Sequence, residues 1–406
     1  MRLTLFALKN IGRNRRRTAA IVGMTALGGA ALLLAGGYAA ATFRGLRENT
    51  IRNGVGHLQI GAPGFRGTEE RPLSRGLADL EGARRIVLAD SRVRAAAGRI
   101  EFTGLASNGD KSVAVLGRGV EPEQEYERAG FTLTMLEGRA LARSDEAEAV
   151  AGEGLARSLG LSLGDRLTVL STTVDGAING LDTVIVGIYT TGVRELDERS
   201  LLVRLDTAQR LLDTRRVSKL VVLLERTADT AAVRADLGRA FQAEGQRVDV
   251  ASWSDLATFY HQVRGLYSGI FVFLGIIITG LVVLSAGNAM TMAVLERVRE
   301  IGTQMAMGTG RLRILWMFVV EGIGLGVLGG VLACVVGGSA SIALTRARIM
   351  MPPPPTFTRG FPLVIDVVPV LYLAVAVLIA ATLAVASILP AARAARLRIT
   401  EALGHV

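Results

Sequence analysis

Cysteine and histidine are scarce in this chain of 406 residues. The one cysteine, Cys334, excludes a disulfide framework and a cysteine-based metal site within a single chain. The three histidines, His57, His261 and His405, are far apart, and neither a G-x-S-x-G nor an H-E-x-x-H motif occurs. We therefore predict that the chain is not an enzyme and binds no metal or cofactor.

The sequence also has no complete phosphate-binding loop. The stretch "GLASNGDKS" at 104–112 approaches the pattern G-x-x-x-x-G-K-S, but Asp110 follows the second glycine where the lysine is required. Lysine occurs only three times, so arginine supplies most of the cations behind the net charge of +10. Because many of these arginines flank apolar runs, where acidic lipid headgroups explain them, we expect no nucleic-acid partner.

Long apolar runs are plentiful instead. Half of the residues are hydrophobic, and four runs exceed the roughly 20 residues that cross a hydrocarbon core about 30 Å thick. We predict transmembrane helices at 18–43, 265–292, 316–345 and 367–392. The first run is longer than the apolar region of a cleaved signal peptide, so we expect it to be an anchor.

Charges beside the short segments predict the orientation. Residues 1–17, 296–313 and 393–406 carry thirteen cations in 49 residues, whereas 346–366 carry three in 21. Because cations concentrate in cytoplasmic segments, we expect both termini in the cytoplasm and 44–264 outside it. The first of these segments is either an amphipathic helix in the membrane interface or a solvated basic start.

The long segment 44–264 has room for one or two packed lobes. Strand-like runs at 111–120, 166–174, 182–191 and 219–225 alternate with helix-like runs at 76–93, 206–214 and 227–245. The stretch 148–170 is predicted to be a helix that stops at Gly160, a turn at Gly164 and a strand. The prediction is an α+β extracytoplasmic domain inserted between transmembrane helices 1 and 2.

Between the second and third runs, residues 293–315 combine charges with glycines. The helical pattern continues without a turn signal to Met307, Gly308 and Gly310 permit a bend, and the chain then starts back into the bilayer. We predict a helix that projects into the cytoplasm and returns. The residues alone favour a solvated connector.

A family resemblance favours a more specific function. "ERVREIGTQMAMG" at 296–308 resembles the signature of the FtsX/MacB-like ABC-transporter permeases, the type VII or mechanotransmission class. Similar matches are "LKNIGRNRRRTAAIVG", "MLEGRALARSDEAEAVAGEGLARSLGLSLGDRLTVL", "EGIGLGVLGGVLACVVG" and "ILPAARAARLRITEAL". "GHLQIGAPGF" at 56–65 resembles permeases of the lipoprotein-releasing LolC/LolE branch.

This resemblance implies partners and a coupling site. A cytoplasmic ABC ATPase dimer, a separate subunit that binds ATP and Mg, would drive the extracytoplasmic domain through the membrane helices. Two permease copies, alike or homologous, would form the working unit. The residues that match the coupling motif by position are Glu296, Arg297, Arg299, Glu300, Ile301 and Gly302. The four charged ones are implied to dock on the ATPase, and the other two to shape the loop.

Two features within the predicted helices bear on coupling and substrate. Glu321 would cost about 2.5–3.5 kcal/mol at the bilayer centre, so we expect either a paired interfacial side chain or a role in coupling. The first two spans carry no charge. We therefore expect a lipoprotein, lipid or other amphiphile to pass between them, near Leu33 and Ile277, in an inner membrane. Drug efflux through a periplasmic adaptor and signalling to a cell-wall hydrolase remain open alternatives.

Overall fold

The computed structural model of the chain describes residues 15–64, 73–129, 133–142, 144, 146–352 and 360–395. Most of the predicted segment 1–17, most of the tail 393–406 and His405 lie outside these residues.

The described residues contain helices α1 to α11: Arg15–Thr50, Leu80–Leu88, Glu153–Leu159, Arg194–Asp197, Leu205–Leu211, Thr230–Ala243, Trp253–Leu256, Thr258–Leu295, Val298–Ala306, Arg311–Arg346 and Pro369–Ala395. They contain strands β1 to β12: Leu58–Gly61, Val93–Ser107, Ser112–Val120, Thr134–Gly138, Glu148–Gly152, Arg166–Thr172, Ile178–Thr190, Ser200–Arg204, Lys219–Leu224, Asp249–Ser252, Met350–Met351 and Phe361–Pro362.

The chain divides into two compact units. One, called here the helical unit, comprises Met1–Arg44, Val263–Met351 and Pro362–Val406. The other, called here the sheet domain, comprises Gly45–Gln262 and Pro352–Phe361.

Four helices of the described chain, α1, α8, α10 and α11, are long and apolar enough to cross a membrane. Each contains the 20 or so apolar residues that a spanning helix needs, and its backbone groups are satisfied within the helix. The prediction of four transmembrane helices, with a large domain between the first and second, is thereby confirmed. The helices are longer than the predicted apolar spans, since α1 alone runs from Arg15 to Thr50.

Small residues let the helices of this unit approach each other closely. A Cβ placed on Gly326 of α10 would lie only 2.6 Å from the Cα of Ala380 in α11, so only glycine fits there. Leu33 of α1, Ala333 of α10 and Leu383 of α11 are fully buried in a common apolar core. In contrast, α8 leaves most of its large apolar side chains exposed.

The sheet domain is built on ten strands in the order β10-β1-β9-β2-β3-β8-β5-β7-β4, with β6 paired to both β2 and β7. All of these pairs are antiparallel except β3 with β8 and β5 with β7. Helices α2, α3, α5 and α6 contribute side chains to one large apolar core with the strands. This arrangement confirms the predicted α+β class.

Two local predictions in this domain were wrong. Residues 148–152, expected to begin a helix, form β5, which is buried along its whole length between β7 and β8. Residues 76–93, expected to be helical throughout, are helical only in α2. In the first case, pairing with distant strands outweighs a weak local preference for helix. The predicted stop is observed, since Gly160 caps α3 with a left-handed backbone at φ 66°.

The chain enters and leaves the sheet domain along neighbouring strands, because β1 pairs antiparallel with β10. The backbone N–H of Trp253 donates to the carbonyl of His57 at 2.9 Å, which extends this pairing. Buried Arg99 of β2 binds both the Glu125 carboxylate and the Gly54 carbonyl. The segment that follows α1 is therefore held to the sheet by a hydrogen bond from buried Arg99 to the Gly54 carbonyl as well as by backbone pairing.

Candidate functional site

The candidate site is the connection between the second and third long helices. Helix α8 ends at Leu295, and Arg297 leaves the helical conformation at φ −114° and ψ 11° before α9 begins. Gly308 then takes φ 89°, a conformation that side chains other than glycine rarely adopt, and α10 starts at Arg311. The predicted return at Gly308 and Gly310 is thus observed, but the predicted uninterrupted helix to Met307 is wrong, because the chain breaks at Arg297.

At this break the side chain of Arg297 is buried inside the helical unit. Its Nη1 donates to Oε2 of Glu321 in α10 at 3.0 Å, and the two residues are only 5% and 1% exposed. Burying either charge alone would be costly, whereas burying them together satisfies both. The ion pair therefore fixes the start of α9 to the third long helix.

An apolar cluster reinforces this attachment. Ile301 of α9 packs with Ile314, Met317 and Phe318 of α10, and Ala391 of α11 completes the cluster. Val298, Ile301 and Gly302 recur at helical spacing, so they share one face of the short helix, and that face is buried, as is Arg297 just before it. The short helix is therefore a packed part of the helical unit.

The opposite face of the connection is exposed and polar. Glu296, Arg299 and Glu300 all lie on this surface. The six residues that matched the coupling motif are therefore divided: these three face outward, while Arg297, Ile301 and Gly302 face inward. The prediction for Arg297 needs correction, because a side chain buried against Glu321 does not present a docking charge. The four-residue spacing between Arg297 and Ile301 was the sequence signal that could have separated the inward-facing residues from the outward-facing ones.

Glu321 has an ion-pair partner, which is one of the two arrangements expected from the sequence. Its partner is Arg297, which is 24 residues away, whereas Arg313, a nearer cation in sequence, is exposed. Glu321 also lies next to the close contact between α10 and α11, where Gly322 meets Ser387 and the backbone of Leu383. The carboxylate thus belongs to a packed junction of the connection with the third long helix, and the fourth helix lies beside it.

Two family profiles match the chain over consecutive regions. The MacB-like periplasmic core domain matches residues 18–240, which is more than half of the chain, and the FtsX-like permease C-terminal domain matches residues 270–399. The chain belongs to the FtsX/MacB-like ABC-transporter permeases. This membership confirms the family that residues 296–308 predicted.

Two relatives of this permease support the same family. An uncharacterized ABC transporter permease of Methanocaldococcus jannaschii is 27% identical over 220 residues, which cover 52% of this chain and 52% of that relative. The chain thus spans about half the length of that relative. The lipoprotein-releasing system transmembrane protein LolC of Xylella fastidiosa is 25% identical over 352 residues, covering 80% of this chain and 81% of LolC.

Solved structures of isolated domains also match part of the permease. The extracellular domain of the ABC-type transporter YknZ from Gram-positive bacteria gives a TM-score of 0.37 at 13% identity, covering 48% of this chain and 99% of that domain. The periplasmic region of MacB from Actinobacillus actinomycetemcomitans gives a TM-score of 0.37 at 15% identity, covering 50% of this chain and 92% of that region.

The two residues predicted to line a substrate path do not share a surface. Leu33 is 0% exposed and packs inside the helical unit, with its side chain 2.9 Å from where a Cβ on Gly337 of α10 would lie. Ile277 of α8 is 43% exposed. The assignment of Leu33 to an open path is therefore wrong, because the glycine of α10 leaves the space that this side chain fills.

His57 is buried in the sheet domain, and both of its ring nitrogens have hydrogen-bond partners. The ring Nδ1 of His57 accepts from the backbone N–H of Leu224 at 3.1 Å, and Nε2 lies 3.1 Å from the Thr227 hydroxyl. Burial lowers the pKa of His57 to about 4. Within the described residues, no group of three or more His, Cys, Asp or Glu side chains is arranged to hold a metal ion.

Proposed function

We propose that this permease couples ATP hydrolysis by a separate cytoplasmic ABC ATPase dimer to movement of its sheet domain outside the cytoplasm. The observation that carries the proposal is the division of the connection into two faces. Glu296, Arg299 and Glu300 form an exposed charged surface, while Arg297 and Ile301 hold the same short helix to the core. A force applied to that surface would reach α10 and α11 because the helix cannot yield by itself.

The ATPase would carry ATP and Mg, and two permeases, identical or homologous, would form the working unit in the bacterial inner membrane. Both termini would be cytoplasmic. The family membership supports an ATPase partner, and the concentration of cations beside the short segments supports this orientation.

The coupling proposal is tested by reversing one exposed charge. Arg299→Glu should leave the fold intact, because the side chain is exposed, but should oppose a charge contact with the ATPase. We expect the ATPase activity that co-purifies with the tagged permease in mild detergent to fall at least about tenfold, since a lost interface charge contact of about 2–5 kcal/mol exceeds the 1.4 kcal/mol of a tenfold change.

The matched control is Arg85→Glu, an equal charge reversal on the exposed face of α2 in the sheet domain. This variant should retain the full co-purifying activity. Equal retention by Arg299→Glu would contradict docking at this surface and would leave the exposed face of α9 as an ordinary solvated surface.

For the substrate, we propose a lipoprotein, lipid or other amphiphile that approaches from the bilayer. The exposed apolar side chains of α8, including Ile277, and the absence of charged residues from 18–43 and 265–292 support this choice. A polar path would normally contain intramembrane charges. The match to LolC over 80% of the chain is consistent with it.

Photo-crosslinking tests this substrate class. A photoreactive residue at Ile277, or at Leu27, which is exposed on α1, should form adducts with lipoprotein or lipid in native membranes without ATP. The buried position Leu33 is the control and should give none. Adducts that persist unchanged when ATP is added, together with ATP-dependent export of a soluble drug, would favour efflux and contradict the proposal.

A further inference from the structure

The sheet domain contains a large groove in which cationic and apolar groups lie together. The groove has a volume of about 840 Å³, and its lining includes Thr103 of β2, Leu116 and Arg118 of β3 and Ser200 of β8. Pairing brings these strands together, since Leu116 lies opposite both Thr103 and Ser200. The groove is within the range of about 300–1,000 Å³ that is usual for small-molecule sites.

Two arginines, Arg75 and Arg118, line this groove, and Arg118 is the one that lies on the sheet beside Leu116. Lys219 binds the Glu101 carboxylate at 2.8 Å, and buried Arg99 binds Glu125, so these two cations are neutralised by direct ion pairs. Arg118 lies directly across the strands from Glu101 and acts electrostatically on that carboxylate, but its guanidinium makes no hydrogen bond or direct ion pair with the part of the chain that the structure describes. Its guanidinium can therefore bind an anionic group, for which its planar geometry is well suited.

Apolar surface lies beside this cation. Leu116 is two residues from Arg118 on the same strand, so it shares the same face of the sheet about 7 Å away. It is 46% exposed, and Leu196 on the groove lining is also exposed. Leu133 and Leu202 add further apolar lining.

We propose that this groove binds an amphiphile with an anionic headgroup. The headgroup phosphate or carboxylate would bind Arg118, and the hydrocarbon chain would lie along Leu116 and Leu196. The proposal goes beyond the ATP-driven function, because such binding needs neither the ATPase nor ATP. Failure of one therefore does not decide the other.

The test measures protection of a cysteine by a soluble probe. The full-length chain with Cys334→Ala and Leu116→Cys is placed in phosphatidylcholine nanodiscs, and its reaction with a water-soluble maleimide is timed. Dodecyl phosphate below its micellar concentration should slow the reaction at least about fivefold. Inorganic phosphate lacks the chain and dodecyltrimethylammonium lacks the negative charge, so neither should protect.

Two variants complete the test. Adding Arg118→Gln should raise the dodecyl phosphate concentration needed for half protection about tenfold, because a charge-assisted hydrogen bond is lost. An unchanged labelling rate without probe will show that this variant is folded. A cysteine at Ile178, which is 83% exposed and outside the groove lining, is the matched control and should not be protected.

Several results would overturn the proposal. Equal protection by the two charged amphiphiles would show that Arg118 does not recognise the headgroup, and protection by phosphate alone would show an anion site without a place for the chain. Equal protection at Ile178 would show non-specific coating. Absence of protection both at Leu116 and in a second variant, Leu196→Cys, would show that the groove does not bind this class of ligand.

Discussion

The ion pair between Arg297 and Glu321 gives a prediction with a defined magnitude. Both side chains are almost completely buried and are joined at 3.0 Å, so neither Arg297→Met nor Glu321→Met can relax by exposing the remaining charge to water. Loss of one partner from a buried pair typically costs about 3–5 kcal/mol. We expect each single variant to lower the free energy of unfolding by about that amount.

The double variant Arg297→Met with Glu321→Met should behave differently. It leaves no uncompensated charge, and methionine adapts its shape to fill irregular space, so the double variant should cost much less than the sum of the singles. The resulting coupling energy should be at least about 2 kcal/mol. Unfolding is followed by reversible denaturation in mixed detergent micelles, with the population of folded protein read at each denaturant concentration.

A surface pair provides the comparison. Glu153 and Arg157 lie 2.7 Å apart on α3, but the arginine side chain is 75% exposed, so Glu153→Gln should cost no more than about 0.5 kcal/mol. Additive single effects at Arg297 and Glu321, or losses no greater than at the surface pair, would refute the conclusion that the buried pair fixes α9 to α10.

Three further predictions concern other parts of the chain. In the unfolded chain the His57 side chain takes up a proton near pH 6.5, but in the native chain only near pH 4, so acidification between these values should destabilise the sheet domain. Discounting for nearby water, we expect the free energy of unfolding, measured by chemical denaturation at several pH values, to fall by about 2 kcal/mol over this range. The variant His57→Gln should not show this loss. Gly326→Leu should lower the melting temperature of the solubilised protein, since overpacking costs about 1–3 kcal/mol, whereas Gly280→Leu on α8, with open space around it, should not. In a cysteine-free background, Ile178→Cys should react with an impermeant maleimide in outer-permeabilised cells and Met307→Cys should not; the reverse pattern would invert the proposed orientation.

The sequence by itself determined the membrane architecture. Each spanning helix satisfies its own backbone hydrogen bonds, so 20 or more consecutive apolar residues are sufficient to specify it without knowledge of its neighbours. The α+β character of the sheet domain and the stops at Gly160 and Gly308 were equally local, because both glycines adopt backbone conformations that other residues avoid. The segment 296–302 stood out because four of its seven residues are charged although it lies between two long apolar runs.

The tertiary structure decided which of those residues face the core. Arg297 and Glu321 are 24 residues apart, and their pairing depends on how α8, α9 and α10 fold back on each other. Leu33 is equally apolar whether it faces lipid or protein, so only the position of Gly337 shows that it is buried. Residues 148–152 form a strand because they pair with β7 and β8. The groove that Arg118 lines is likewise built from strands that include segments distant in sequence. These features depend on contacts between separated segments, whereas periodicity records only the preferences of neighbours along the chain.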